Sequence, residues 1–184
     1  VAESLALVQK NVPLFKDLTT LQMREFMLES EVVTPAPGAV IFRKDDYTNS
    51  FFSVVDGEVV IEIPAEGGTT KPVTLRRGQF FGEMGLLSGR RRTSTVMAGA
   101  DCVLIETPRY SMLKLVASIE SVRRQIDETS LRRAVRTQIA PFVSESDMDE
   151  IVRGALIKHY AAGETIFAEG AAADGLHLIR RGSV

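Results

Sequence analysis

Between residues 31 and 106 the apolar positions come in runs of two to five, each closed by turn formers. Val32-Val33, Val40-Ile41-Phe42, Phe51-Phe52-Ser53-Val54-Val55, Val59-Val60-Ile61-Glu62-Ile63 and Pro72-Val73-Thr74-Leu75 predict short strands. Two more are expected at about 93–97 and 102–106. Pro37-Gly38, Asp45-Asp46, Asp56-Gly57, Gly67-Gly68 and Gly78 mark the turns, and Asp56-Gly57 between two apolar runs predicts a hairpin. On either side the period is helical. Thr19 and Gln22 form a capping box for a helix through about Met27. From Arg109 onward, Leu115, Ile119, Val122 and Ile126 stand four, three and four apart, one stripe of an amphipathic helix. Arg124, Glu128 and Arg132 follow at i,i+4 on another face and carry the helix to about Thr137. The expected fold is α+β and mainly β: a jelly-roll-like barrel at about 31–107 with helices before it and at about 108–138.

The pattern then starts again. Gly38-Ala39-Val40-Ile41-Phe42 returns as Gly163-Glu164-Thr165-Ile166-Phe167, an offset of 125. At the same offset Phe51, Val54, Gly57 and Val59 fall on Leu176, Ile179, Gly182 and Val184. Phe26-Met27 fall on Ile151-Val152, and a two-residue gap brings Phe15 onto Phe142. A constant offset over apolar and glycine positions signals duplication. Residues 1–138 are therefore expected to be one complete domain and 139–184 the N-terminal part of a second of the same type. The first residue is Val1 and the last is Val184, and both ends read as cuts in something larger.

Composition narrows the function classes. At 184 residues, 45% apolar and 25% charged, the chain is an ordinary globular one, and a net charge of −2 offers no basic surface for nucleic acid. No apolar stretch approaches the roughly 20 residues that span a bilayer, and no signal-peptide pattern opens the chain. The single cysteine, Cys102, cannot form an internal disulfide, so a cytoplasmic setting is expected; within its strand-like run it reads as a small buried hydrophobe.

The chemistry is concentrated in residues 81–96, Phe-Gly-Glu-Met-Gly-Leu-Leu-Ser-Gly-Arg-Arg-Arg-Thr-Ser-Thr-Val. Gly82, without a Cβ, lets backbone approach a ligand closely. The N–H groups of Met84 and Gly85 open a short helix and favour an anion. Arg92, nine residues after Glu83, brings a permanent charge in a planar fork suited to phosphate oxygens. The Glu83 carboxylate only accepts and suits a sugar hydroxyl. Together these describe a pocket for a small phosphorylated ribose.

The stretch resembles the phosphate-binding cassette of the cyclic nucleotide-binding domain family, which runs Phe-Gly-Glu, an apolar stretch, then Arg, a small or hydroxyl residue and Val two further on. The resemblance implies that Glu83 binds the ribose 2′-OH and Arg92 the cyclic phosphate, with Phe81, Gly82, Met84, Gly85 and Thr93 completing the site. Here Arg91 stands where the family often has Pro, and Gly85 where Ala is common. It further implies a lid helix at about 108–138 that moves over the base when ligand binds. Thr93 bears on base choice: its hydroxyl can accept from the guanine 2-amino group, which adenine lacks, or it can serve the phosphate alone. cAMP is favoured and cGMP also expected to bind.

Other readings are weaker. Arg91-Arg92-Thr93-Ser94 and Arg180-Arg181-Gly182-Ser183 look like kinase recognition sites, but one lies inside the cassette and the other aligns with the turn at 55–59. The arginines at 123, 124, 132, 133 and 136 alternate with acids and lack interleaved aromatics, which suits a solvated or interdomain helix face better than a nucleic-acid contact. The two histidines, His159 and His177, stand outside the first domain, so neither a metal-binding cupin nor a Ser-His-Asp site is expected there. The expectation is a non-catalytic sensor with no cofactor, whose partners are the cyclic nucleotide, the second domain, and an effector on the same or a partner chain. The alternatives are a nucleotide-free scaffold or oligomerisation module, and the sensor half of a transcription factor.

Overall fold

A computed structural model of the chain describes residues 2–65 and 68–184, so Gly67 of the turn expected at Gly67-Gly68 lies outside the described residues. Helix α1 (Ala2–Asn11), a 3-10 turn at Pro13–Phe15 and helix α2 (Thr20–Leu28) precede the strands. The Thr19–Gln22 capping box closes in both directions: Thr19 N–H donates to Gln22 Oε1 at 2.8 Å, and Gln22 N–H to Thr19 Oγ1 at 3.3 Å. Strands follow as β1 (Glu31–Val33), β2 (Val40–Phe42), β3 (Ser50–Asp56), β4 (Glu58–Pro64), β5 (Thr70–Arg76) and β6 (Phe80–Phe81). After the short helix α3 (Glu83–Ser88) come β7 (Thr95–Ala98) and β8 (Val103–Pro108). They form two antiparallel four-stranded sheets, ordered β1-β8-β3-β6 and β2-β7-β4-β5. This is the jelly-roll-like α+β architecture that the strand pattern predicts.

The unbroken run Phe51-Phe52-Ser53-Val54-Val55 has a structural reason. Strand side chains alternate between faces, and both faces of β3 are covered. Phe52 and Val54 point between the sheets with Phe42, Phe81 and Leu104, while Phe51 and Val55 point to the helices with Phe80, Ile105 and Ile126. The β1-β8-β3-β6 sheet is thus the middle of three layers. Phe52 and Phe81 stack at 4.9 Å between centroids, and Phe42 tilts against both.

The hairpin expected at Asp56-Gly57 does not form. β3 pairs with β6 and β8, whereas β4 pairs with β5 and β7. Gly57, at φ +68°, is instead a corner at which the chain changes sheets. The corner is held by carbonyls opposite it: Glu58 N–H donates to Ala100 O, and Gly99 N–H to Glu58 O. The true hairpin joins β4 to β5.

The helical stripe after β8 is also divided. α4 (Arg109–Ser118) and α5 (Glu120–Ala134) are separated by Ile119 in extended geometry (φ −123°, ψ 108°). Leu115, Val122 and Ile126 still share the helical core, with Ile119 packed at its margin. α5 continues as one π turn, Val135–Ile139. Among the described residues no helix is long and apolar enough to cross a membrane.

Beyond it, helix α6 (Glu145–Gly154) is capped by Ser144, which accepts from Asp147 N–H. That cap lies 125 residues after the one at Thr19, and the turns keep the same interval. Ala39 N–H donates to Ala36 O and Glu164 N–H to Ala161 O; Asp46 N–H donates to Arg43 O and Ala171 N–H to Ala168 O. Residues 155–184 contain no strand, and Phe167, Leu176, Ile179 and Val184 are exposed. Arginines of α5 and its π turn are occupied by acids: Arg124 by Glu120, Arg132 by Glu128 and Asp149, Arg136 by Glu145. The last two pairs tie α5 to α6.

Candidate ligand-binding site

β6 leads into the site, and its two phenylalanines part. Phe80 faces the helices and Phe81 turns into the barrel core, against the Phe42 ring. Gly82 follows at φ +88°, where a Cβ would sit 2.8 Å from Arg92 Nη1 and 3.1 Å from Ser50 O. Backbone conformation and space both demand glycine there. Gly85 also backs onto the arginine, with a Cβ position 3.5 Å from Nη1. Leu86 N–H closes the first turn of α3 on Gly82 O, so the N–H groups of Glu83, Met84 and Gly85 have no acceptor within the helix.

Of the consecutive arginines, Arg92 is the buried one, 3% exposed. Arg91 is exposed and donates to Asp45 O. The backbone sets this choice: Arg92 N–H donates to Asp46 O and Asp45 N–H to Arg92 O, pinning the residue to the β2–β3 loop. Its side chain then runs inward over the Phe42 ring, 4.1 Å from the centroid. Nε donates to Thr48 Oγ1 at 2.6 Å, Nη2 to Ser50 O at 2.5 Å and Nη1 to Gly82 O at 3.3 Å. Burial pulls the guanidinium below its ordinary pKa, while the charges of Glu83, Glu106 and Asp46 hold it up. It stays a cation at neutral pH.

Glu83 is 1% exposed. Its Oε2 accepts from Arg133 Nη1 at 2.6 Å, and its Oε1 has no hydrogen-bond partner among the described residues. A buried carboxylate oxygen left open is costly unless a donor reaches it. The structure therefore brings Gly82, Glu83, Gly85 and Arg92 together at the start of α3. Met84 is half-buried beside them, and Thr93 is exposed on the rim. That rim belongs to a depression of about 580 Å³ walled also by Lys44, Asp45, Tyr47, Arg90 and Arg91.

Three contributors escaped the sequence reading. Thr48 and Ser50 act through a loop whose path no local pattern reveals. Arg133 had a signal: Val122, Ile126 and Arg133 are spaced four and seven apart on the inward face of α5. The cassette tip is touched too, since Arg90 donates to Gly182 O while Arg180 pairs with Asp127 of α5.

Residues 32–118 match the model of the cyclic nucleotide-binding domain. Among curated proteins, the chain is 33% identical over 122 residues to a cyclic nucleotide-gated potassium channel of Rhizobium etli, covering 66% of this chain and 33% of the channel. It is 27% identical over 178 residues to the cAMP-dependent protein kinase type II regulatory subunit of Drosophila melanogaster, covering 95% of this chain and 45% of that one. The chain spans about a third of the length of the first curated relatives it matches. Among solved structures, the sensor domain of the transcriptional regulator DNR from Pseudomonas aeruginosa superposes with a TM-score of 0.60 at 19% identity, covering 78% of this chain and 95% of that one; this likeness concerns the fold. Cassette, barrel and family match coincide, and over residues 32–118 the chain belongs to the cyclic nucleotide-binding domain family.

Proposed function

We propose that residues 1–138 are a cyclic nucleotide receptor, with cAMP favoured and cGMP also bound, that signals through α4 and α5 to an attached effector. One observation carries the reading: a buried arginine and a buried carboxylate with one unpartnered oxygen flank a backbone turn that only glycine fits. Arg92 would hold the cyclic phosphate together with the free N–H groups of α3, and Glu83 Oε1 would accept from the ribose 2′-OH. The printed names of the channel and the kinase regulatory subunit support the ligand class. Their outputs differ, so the effector is left to other parts of the protein. The domain acts by binding, not catalysis: nucleotide favours one arrangement of α5 over another and shifts the population between them.

Residues 139–184 are read as the opening of a second domain of the same type. The repeated cap and turns at an interval of 125 support this, as does an alignment to the regulatory subunit that covers 95% of the chain.

Titration of the protein with cAMP and cGMP by calorimetry tests the ligand. Ligand at about a thousand times Kd should stabilise the fold by about 4 kcal/mol, and no binding of either nucleotide sinks the reading. In the same assay Thr93→Ala should weaken cGMP more than cAMP, by roughly 2- to 10-fold, the worth of one neutral hydrogen bond. An equal loss leaves Thr93 a phosphate ligand only. For Glu83, 2′-deoxy-cAMP should bind the wild type roughly tenfold or more weakly than cAMP, a preference that Glu83→Gln should largely erase. Equal binding of the two nucleotides to the wild type removes Glu83 from the sugar.

A further inference from the structure

The pocket that is to hold an anion has no positive charge to spare. Around Arg92 stand the carboxylates of Glu83, Glu106 and Asp46, whose charges all act on its guanidinium. Even with Arg133 counted, acids outnumber bases there, and the chain as a whole carries −2. Uncompensated cations lie just outside. Lys44, Arg90 and Arg91 are exposed around the depression of about 580 Å³, whose wall also includes Arg92 and Thr93. Arg91 Nη1 donates to Asp45 O at 2.9 Å and Arg90 Nη2 to Gly182 O at 2.7 Å. Both acceptors are neutral carbonyls, so the side chains are held in place with their charge undiminished. Asp45 is the one acid in the wall, and among the described residues none of the three cations is in an ion pair.

Resting on the reading of Arg92 as the phosphate holder, we propose that Lys44, Arg90 and Arg91 form an electrostatic collar that draws the anionic nucleotide in and sets its rate of association. Charges of one sign around a concave surface raise the local concentration of an oppositely charged ligand. Arg92, sunk among carboxylates, cannot do this at a distance; it acts once the phosphate is in contact. The collar is exposed to water and salt, so it acts on arrival and little on residence. The three consecutive arginines thereby divide the work. Backbone bonds to Asp46 O and Asp45 N–H turn Arg92 inward, and the two before it stay on the rim. Attraction of this kind reads charge alone, so the collar adds speed for cAMP and cGMP alike and no choice between them.

The test uses the whole chain and a cAMP carrying a neutral fluorophore on its base. Stopped-flow mixing gives the association rate, and a chase with unlabelled cAMP gives dissociation. Between ionic strengths of about 0.01 M and about 1 M the screening length falls from about 30 Å to about 3 Å. Over that range wild-type association should slow roughly tenfold, with dissociation changed less than about twofold. Lys44→Ala and Arg91→Ala should each flatten the salt dependence. Lys44→Glu with Arg91→Glu should slow association roughly tenfold or more at low salt and reverse the trend, so that added salt speeds binding. At high salt this variant should come within about threefold of wild type. Lys10→Glu with Lys16→Glu, on and just after α1, has the same net charge and should behave as wild type. Association by the wild type that is indifferent to salt would overturn the proposal. So would a charge-reversed collar that changes dissociation alone, or an equal loss from the Lys10 and Lys16 pair, which would trace the effect to net charge. A wild type that does not bind cAMP fells the reading of the site together with the proposal, whereas binding with any of these other outcomes fells the proposal alone.

Discussion

Arg92→Ala is expected to cost the domain roughly 30- to 1,000-fold in affinity for cyclic nucleotide, the range for losing a charge-assisted, partly desolvated pair. The same substitution should destabilise the empty protein by about 2–4 kcal/mol, since it also works as a structural truncation. The guanidinium satisfies Thr48 Oγ1, Ser50 O and Gly82 O and covers one face of Phe42. Alanine leaves those acceptors facing a void. Arg92→Lys separates the two effects. It keeps the charge, so some phosphate attraction should survive, but one ammonium on a flexible stem cannot reach three fixed acceptors in a plane. Calorimetry gives the affinities and urea denaturation the stabilities. If Arg92→Ala stays within threefold of wild type while Arg91→Ala abolishes binding, the phosphate role belongs to the neighbour.

Gly57→Ala should be among the most damaging single-methyl additions in the chain, at about 3–5 kcal/mol, because a left-handed φ and a backbone collision add. The new Cβ would lie 2.2 Å from Asp101 O and 2.4 Å from Ala100 O. These atoms are backbone and also accept or flank the corner's own hydrogen bonds, so neither side yields cheaply. Gly38 makes the comparison clean. Its φ is +80° but nothing lies within 4 Å of its Cβ position, so Gly38→Ala should cost only the conformational part, roughly 1–2 kcal/mol. Denaturation midpoints of the two variants, at unchanged m-value, measure the difference. Costs within 0.5 kcal/mol of each other would mean that the corner between the sheets is soft.

Strand positions were readable because each apolar run has its own turn formers, and the Thr19–Gln22 cap because its chemistry is local. The grouping of the candidate site was legible for a related reason: Gly82, Glu83, Gly85 and Arg92 lie within eleven residues and meet in space. What the sequence hid was decided at a distance. Asp56-Gly57 offers the left-handed residue that a hairpin and a corner both use, and only strand pairing elsewhere selects between them. Leu115, Ile119, Val122 and Ile126 keep a helical spacing across a break, because Ile119 remains at the core margin while its backbone extends. Arg133 reads as one of several arginines on a polar helix until Glu83, fifty residues earlier, is placed beneath it.

The three-layer arrangement separates two interiors that share no residue. The one between the sheets is built from strands and the turn before β8, and no helix contributes to it. The one beneath the helices meets the barrel only through the outward side chains of the middle sheet, such as Phe51, Val55, Phe80 and Ile105. A shift of α4 and α5 therefore disturbs a single interior, and the barrel keeps Phe42, and with it the seat of Arg92, at full packing throughout. If nucleotide acts as proposed, the molecule works like an instrument with a fixed body and a movable pointer: the barrel would do the measuring and the helices the reporting.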